Sequence, residues 1–262
     1  MDNLASCPVN IMKTFYERNL PHYTPEGYVF FVTSRLAGSL PKSVIEKLKK
    51  EKQENEKRIS EIKNLKVRKE EYYKQQKLYF SKFDNALDSS SRGPYWLKNG
   101  SATEIIREAF HYRDKKVYHL FAYTIMPNHI HLVIKPIVGQ HAMLTKQNGN
   151  KTKHNSGKSN GQLGKLSYNS NNRRNIGRKN PSPYLLGDIM ESLKGYTAFE
   201  CNKILDRQGP FWQHENYDHV VRNQEELVRI IKYIVNNPVK AKLCKTSEDW
   251  KWNYYNPDLI GL

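Results

Sequence analysis

The stretch VYHLFAYTIMPNHIHLVIK, residues 117–135, decides the fold of this chain. Two runs rich in apolar, β-branched and aromatic residues, 117–126 and 129–135, flank Pro127 and Asn128. Pro and Asn favour a tight turn, so the two runs are predicted to be the strands of a β-hairpin.

The second strand carries two histidines two positions apart. Successive side chains of a strand point to opposite faces, so His129 and His131 share one face and the aliphatic residues between and after them share the other. We expect the aliphatic face to anchor the strand and the histidine face to meet solvent. Two imidazoles on one face can bind one cation, although a bare pair is also typical of histidines that are merely hydrogen-bonded.

The flanking sequence predicts further strands and helices. Residues 27–36 are β-branched and aromatic and read as a central strand. Helical periodicity and capping residues indicate helices over 101–110, with Ser101 and Glu104 as a capping box, over 185–207, and over 225–234. This order of elements predicts an α+β fold, a ferredoxin/RRM-like sandwich with an antiparallel β-sheet backed by helices.

The positive charge of the chain lies in two segments. Residues 42–82 carry +7 and residues 141–182 carry +9 of the formal net charge of +17, so the remainder is almost neutral. The first segment lacks glycine and is rich in helix formers, which predicts an inserted helical arm or hairpin, with or without a binding partner. The second is polar and of low complexity, which predicts a mobile loop. Its densest cationic cluster, which includes Arg173 and Arg174, either attracts nucleic acid or only solubilises the loop.

Composition excludes several protein classes. No apolar run approaches the roughly 20 residues of a membrane helix, and the first residues lack the pattern of a secretory signal. The cysteines, Cys7, Cys201 and Cys244, form no CxxC pair, which favours a reducing compartment. We therefore expect a cytoplasmic protein without a membrane partner.

A tyrosine on the predicted helix over 185–207 is a candidate nucleophile. Tyr196 is followed by Glu200 one helical turn later, on the same side of the helix. A phenol has a pKa of about 10, so it attacks an electrophile well only when a cation already polarises that electrophile. Glu200 could complete the ligand shell of such a cation. Taken alone, Tyr196 is one of 17 tyrosines, which favours a packing role over catalysis.

Three strings in order resemble one family. YTIMPNHIHLVI (123–134), SLKGYTAFECNKIL (192–205) and GPFWQHENYDHVVRNQEELVRIIKYIVNNPVKAKL (209–243) look like the REP-associated tyrosine transposases, a branch of the single-tyrosine HUH nuclease superfamily. The region 21–41 is similar to the first strand of that family. The resemblance implies one HUH transposase domain over 1–262, with 42–82 and 141–182 as insertions and 209–262 as a C-terminal extension.

The resemblance also implies a reaction. Enzymes of this family cleave single-stranded DNA through a 5′-phosphotyrosine intermediate and transfer the strand, at hairpin-forming palindromic repeats. Carried over to this sequence, His129 and His131 bind Mg²⁺ or Mn²⁺ and Tyr196 is the nucleophile. The third ligand is Glu200, or alternatively Asn202. The resemblance leaves monomer and homodimer open.

Candidate DNA contacts lie around the second and third strings. Lys194 and Arg222 offer cations to phosphates, and Trp212 and Tyr217 offer rings on which unpaired bases could stack. The same residues are also compatible with solvated charges and core aromatics.

Two other functions compete with the transposase hypothesis. One is a domesticated protein that binds hairpin DNA without cutting it. The other is a metallohydrolase of small substrates, which is disfavoured because no Asp or further His follows HIH at the spacing of metal ligands.

Overall fold

The computed structural model describes residues 15–17, 21–23, 27–90, 93–137 and 185–260. The whole polar segment 141–182, including Arg173 and Arg174, therefore lies outside the described residues. The elements, in chain order, are β1 Phe15–Glu17, β2 Pro21–Tyr23, β3 Val29–Arg35, α1 Lys42–Ser60, α2 Leu65–Asp88, α3 Gly100–Arg113, β4 Tyr118–Ile125, β5 His129–Pro136, α4 Leu185–Ile204, β6 Tyr217–Val221, α5 Gln224–Val235, α6 Asn237–Lys240, β7 Asn253–Tyr255 and α7 Pro257–Ile260.

Five strands form one antiparallel sheet in the order β6-β3-β5-β4-β7, and β1 pairs with β2 in a separate ribbon. The first four strands of that order follow the βαββαβ arrangement of ferredoxin-like folds, with β7 added beside β4. The predicted α+β fold, an antiparallel sheet backed by helices, is confirmed.

The predicted hairpin is also confirmed. Strands β4 and β5 pair antiparallel, and Met126 N donates to His129 O at 2.9 Å where the turn closes. The register shifts between Leu120 and Ala122, which marks a β-bulge in β4. The hairpin occupies the centre of the sheet and presents β5 to β3 on its other side.

The two faces of the sheet have separate cores. Helices α3 and α4 cover the face that contains Ile130, Leu132 and Ile134. Helix α5 covers the face that contains Phe31 and Val133. Because side chains alternate along β5, His129 and His131 lie on the α5 face.

The segment predicted to be an insertion, 42–82, forms helix α1 and most of helix α2. Asn64 caps α2 by accepting hydrogen bonds from Lys66 N and Val67 N. Ion pairs join the two helices, between Arg58 and Glu71 at 3.3 Å and between Lys82 and Glu51. The far end of α2 reaches the sheet, where Phe80 packs against the core on the α5 face.

Helix boundaries differ slightly from the sequence expectation. Helix α3 starts at Gly100, because Asn99 rather than Ser101 accepts the capping hydrogen bond, from Ala102 N at 3.0 Å. Helix α5 is capped by Asn223, whose side chain accepts a hydrogen bond from Glu226 N at 2.8 Å. No helix of the described residues is both long and apolar enough to cross a membrane.

Shortening Leu132 to alanine is expected to destabilise the fold by about 2–5 kcal/mol, because its completely buried side chain fills the core below α3 and α4. Urea unfolding measures the change. Leu78→Ala is a suitable control, since that side chain is 45% exposed on α2 and its truncation should cost less than about 0.5 kcal/mol. Equal losses in both variants would contradict this assignment of the core.

Candidate active site

The two predicted histidines meet on the α5 face of the sheet. Their Nε2 atoms are 3.2 Å apart, and neither residue is exposed to solvent. The expectation that this face meets solvent is wrong, because α2 and α5 pack over it and bring polar side chains into contact with the rings. The surroundings are therefore buried but not apolar.

The other ring nitrogens orient the pair. His129 Nδ1 lies 2.7 Å from Asn128 Oδ1, an oxygen that can only accept, so this nitrogen carries the proton. His131 Nδ1 lies 2.8 Å from Thr33 Oγ1. Burial first, and then the neighbouring His131, lowers the pKa of His129 to about 3. His129 is thus neutral near pH 7 and points the free lone pair of Nε2 towards His131.

A carboxylate from α2 completes this cluster. Asp84 Oδ1 lies 3.2 Å from His131 Nε2 and 3.8 Å from His129 Nε2, and the residue is completely buried. Burial alone would raise the pKa of Asp84, but His131, His129 and the Tyr233 hydroxyl together hold it below its usual value. Asp84 is ionised in this setting. Asp84, His129 and His131 form a group that could hold a metal ion.

Three buried oxygens around the cluster have no hydrogen-bond partner: Asp84 Oδ1, Asp88 Oδ1 and Asn237 Oδ1. Asp88 Oδ1 is 4.0 Å from His129 Nε2. Burial and the nearby Asp84 raise the pKa of Asp88 to about 6. Orphaned acceptors beside two carboxylates are costly unless a cation joins them, so the residues fit a divalent ion.

A tyrosine and an asparagine four positions apart reach the same cluster from α5 and α6. The Tyr233 hydroxyl donates to Asp84 Oδ2, and its ring centroid lies 6.3 Å from that of His131. Asn237 Nδ2 lies 2.8 Å from His131 Nε2 and 3.3 Å from Asp84 Oδ2. Burial and the charge of Asp84 raise the pKa of Tyr233.

Tyr196 does not lie beside the histidine cluster but on the opposite face of the sheet. It packs against the core on the α3 and α4 face, and the Arg113 guanidinium lies 5.4 Å from the centre of its ring. The expectation that Tyr196 stands beside the histidines is corrected, because α4 crosses the face of the sheet opposite to them. Glu200, on the same helix, is not in the cluster, and the fallback ligand Asn202 donates instead to Gly209 O at 3.0 Å.

Lys194 and Trp212 hold the chain between α4 and β6 in place. Lys194 Nζ donates to Gln213 O, His214 O and Asn216 Oδ1 at 2.6 to 2.9 Å. Trp212 is 7% exposed and lies in the core, where its Nε1 donates to Thr197 Oγ1 at 2.9 Å. Neither side chain is available to DNA in this arrangement.

The other two candidate DNA contacts differ in exposure. Tyr217 is on β6 with its ring centroid 4.5 Å from that of Phe80, and burial raises its pKa, so it belongs to the packing below α2. Arg222 is exposed at the end of β6, with its guanidinium 3.5 Å from the centre of the Tyr73 ring.

Replacing Trp212 by phenylalanine is expected to cost about 1–3 kcal/mol of stability, from the lost hydrogen bond and the lost volume, and to leave DNA affinity unchanged. Urea unfolding and hairpin-DNA titration measure the two quantities. A stacking role predicts the reverse result, a stable variant with affinity lowered by about 1–3 kcal/mol.

One curated relative and one solved structure are similar to this chain. No family model matches the chain. The chain is 28% identical over 61 residues to a Haemophilus influenzae protein named as a REP-associated tyrosine transposase; the match covers 23% of this chain and 35% of the relative, about a third of its length. A solved REP-associated tyrosine transposase bound to a REP hairpin has a TM-score of 0.45 at 14% identity, covering 93% of this chain and 84% of that one. The resemblance inferred from the three strings is confirmed by the Haemophilus relative.

Proposed function

We propose that this protein cleaves single-stranded DNA and transfers the cut strand through a 5′-phosphotyrosine intermediate, with Tyr233 as the nucleophile and a divalent metal ion as cofactor. One observation carries the proposal. The Tyr233 hydroxyl, the Nε2 atoms of two imidazoles and a buried carboxylate with an orphaned oxygen converge at one point, on the histidine face of the sheet.

Tyr233 and Asp84 have different roles in the transfer step. The Tyr233 oxygen attacks the phosphorus atom, the bond from phosphorus to the 3′ oxygen breaks, and the 3′ oxygen leaves as a hydroxyl after taking up a proton. The Tyr233 proton leaves along its hydrogen bond to Asp84 Oδ2. The energy of the phosphodiester is kept in the new bond, so the step can be reversed onto another 3′ end.

His129, His131 and Asp84 would hold the ion, and Mg²⁺ or Mn²⁺ suits the mixed nitrogen and oxygen ligands of a phosphoryl-transfer site. Such an ion, when bound, supplies Lewis acidity at the scissile phosphate. Asn237 is the further candidate ligand, since a half-turn of its amide would bring the orphaned Oδ1 to the position that Nδ2 occupies beside His131. All of these residues come from one chain, so a monomer is sufficient for the chemistry.

DNA can reach the histidine cluster only if the buried side chains become accessible. Both histidine rings are completely buried, and Asp88 at the end of α2 is 9% exposed. Lys240, whose side chain is 42% exposed, marks the rim, where its Nζ lies 3.2 Å from Asp88 Oδ2. The proposed reaction therefore requires the last turn of α2 to shift when DNA binds, and Lys240 is an exposed cation at this rim that could receive the phosphate.

The proposed substrate is DNA that forms hairpins from palindromic repeats, cut in the adjacent single strand. The support is the resemblance of the three strings and the name of the Haemophilus relative. Binding of the same hairpins without cleavage is the alternative that the following experiment separates from catalysis.

End-labelled DNA tests the proposal. The protein is incubated with Mn²⁺ and a repeat hairpin that bears a single-stranded flank, labelled at either the 5′ or the 3′ end. We expect a covalent protein–DNA adduct that carries the 3′ label alone, because tyrosine retains the 5′ phosphate of the downstream fragment, while the 5′ label leaves on a fragment ending in a 3′ hydroxyl. Tight binding of the hairpin with no adduct in Mg²⁺ or Mn²⁺ would reject the enzyme and favour the binding protein.

A further inference from the structure

An open cleft separates the helical hairpin of α1 and α2 from the end of edge strand β6. It encloses about 620 Å³, within the range of sites that hold small ligands. Its lining includes three cationic side chains, Arg68, Lys69 and Arg222, together with the ring of Tyr72, which is 38% exposed. The cleft is distinct from the histidine cluster, because it shares none of the cluster's residues.

The neighbouring Tyr73 fixes the cation on the β6 side. The Arg222 guanidinium lies 3.5 Å from the centre of the Tyr73 ring, and Lys77 Nζ lies 4.1 Å from it. The Tyr73 hydroxyl donates to Glu226 Oε1, and Arg222 N donates to Glu226 Oε2 at 3.0 Å. Arg222 is thereby held near the cleft by its backbone and by a ring contact, and its guanidinium donates no hydrogen bond to the residues that the structure describes.

The positive charge of the cleft is not balanced by carboxylates. Glu56 is the acidic residue of the lining, and it pairs with Lys52 at 3.5 Å. Within the part of the chain that the structure describes, no ion pair joins a carboxylate to Arg68, Lys69 or Arg222. Unpaired cations beside an exposed ring are the features with which proteins hold a single-stranded backbone and its bases.

Helix α2 connects the cleft to the candidate active site. Tyr72 and Asp84 are on the same helix, twelve residues apart, which corresponds to about 18 Å along its axis. A strand that is cut at the histidine cluster and continues along α2 would therefore enter the cleft within a few nucleotides.

We propose that this cleft binds the single-stranded flank of the DNA, through phosphate contacts from Arg68, Lys69 and Arg222 and a base stacked on Tyr72. The proposal rests on the proposed function, since it assumes a DNA substrate, but it concerns affinity for the flank and not the cleavage step. The helical hairpin of α1 and α2 would then have two roles: it supplies Asp84 to the histidine cluster, and it selects substrates with an unpaired flank.

Binding of two DNA probes by non-cleaving protein tests this proposal. In the Tyr233→Phe background, affinity is measured for a repeat hairpin and for the same hairpin with a single-stranded extension, over a series of salt concentrations. Arg68→Gln with Arg222→Gln should remove most of the affinity that the extension adds, about tenfold or more. The dependence of log K on log salt should fall by about 1.4 for the extended probe, at about 0.7 for each phosphate contact. Affinity for the bare hairpin should be unchanged.

The matched control is Lys115→Gln with Lys116→Gln, which removes the same charge from two exposed lysines at the turn before β4, away from the cleft. If this control lowers affinity for the extended probe as much as the cleft variant does, or if the cleft variant weakens both probes equally, the proposal is overturned, even if the adduct still forms. Binding of an acidic peptide in place of DNA by the cleft would overturn it too. Failure of the proposed function would be visible separately, as an absence of any adduct in protein with Tyr233 intact.

Discussion

Tyr233→Phe is expected to lower the rate of covalent adduct formation by at least about 10³-fold, since the ring is kept and the attacking oxygen is removed. The fold should be kept, with a reduced free energy of unfolding. The hydroxyl donates one buried hydrogen bond, to Asp84, and its loss costs about 1–3 kcal/mol. Affinity for the extended hairpin should be retained. Adduct is measured by denaturing gel electrophoresis with the 3′-labelled probe, and folding is measured by thermal unfolding.

Tyr196→Phe is the matched control for this prediction. It removes the same atom from a tyrosine on the opposite face of the sheet, where the ring packs near Arg113. We expect full adduct formation in this variant. Loss of the adduct in Tyr196→Phe with retention in Tyr233→Phe would return the nucleophile to α4, and would show that the two faces exchange roles in the DNA complex.

Asp84→Asn is expected to abolish most of the stabilisation that Mn²⁺ gives to the folded protein. A ligand at 100 times its dissociation constant stabilises by about 2.7 kcal/mol, which corresponds to roughly 5–10 °C in Tm for a chain of this size. The amide keeps the shape of the carboxylate but removes the charge that faces both histidines. The measurement is thermal unfolding with and without Mn²⁺, and it requires no DNA or activity.

Glu200→Gln provides the control for Asp84→Asn, because the sequence argument made Glu200 the third ligand and the structure leaves it outside the cluster. We expect the Mn²⁺ shift of this variant to equal that of the parent protein. His131→Ala should lose the shift as Asp84→Asn does. An Asp84→Asn variant that keeps the whole shift would remove Asp84 from the ligand set.

The hairpin and its two faces are predictable from sequence, because both depend on local rules. Pro127 and Asn128 specify the turn, and the alternation of side chains along β5 separates His129 and His131 from the aliphatic residues between them. The burial of the histidine face was not predictable in this way. It depends on α2 and α5, which return to that face from distant parts of the chain.

The sequence does not determine which tyrosine lies beside the histidines. Tyr196 with Glu200 and Tyr233 with Asn237 both place a tyrosine four positions before a possible ligand. Spacing alone does not say which helix packs on the histidine face. The signal that could have favoured Tyr233 is the segment 236–238: its Asn-Asn-Pro sequence is typical of a helix end, and the structure buries Asn237 beside His131.

Asp84 was missed for a related reason. It lies just beyond the charged segment 42–82, whose composition indicates a solvated helix, and it precedes the histidines by 45 residues. The same helix, by its other end, lines the proposed cleft, so the charged hairpin contributes to both candidate sites.

The most direct test of the central claim is the identity of the residue that carries DNA in the adduct. The adduct formed with Mn²⁺ and the extended hairpin is digested with protease and nuclease, and the modified peptide is sequenced by mass spectrometry. The account predicts a nucleotide phosphate on Tyr233. A nucleotide on Tyr196, on any other side chain, or on none while the DNA is cut would contradict it.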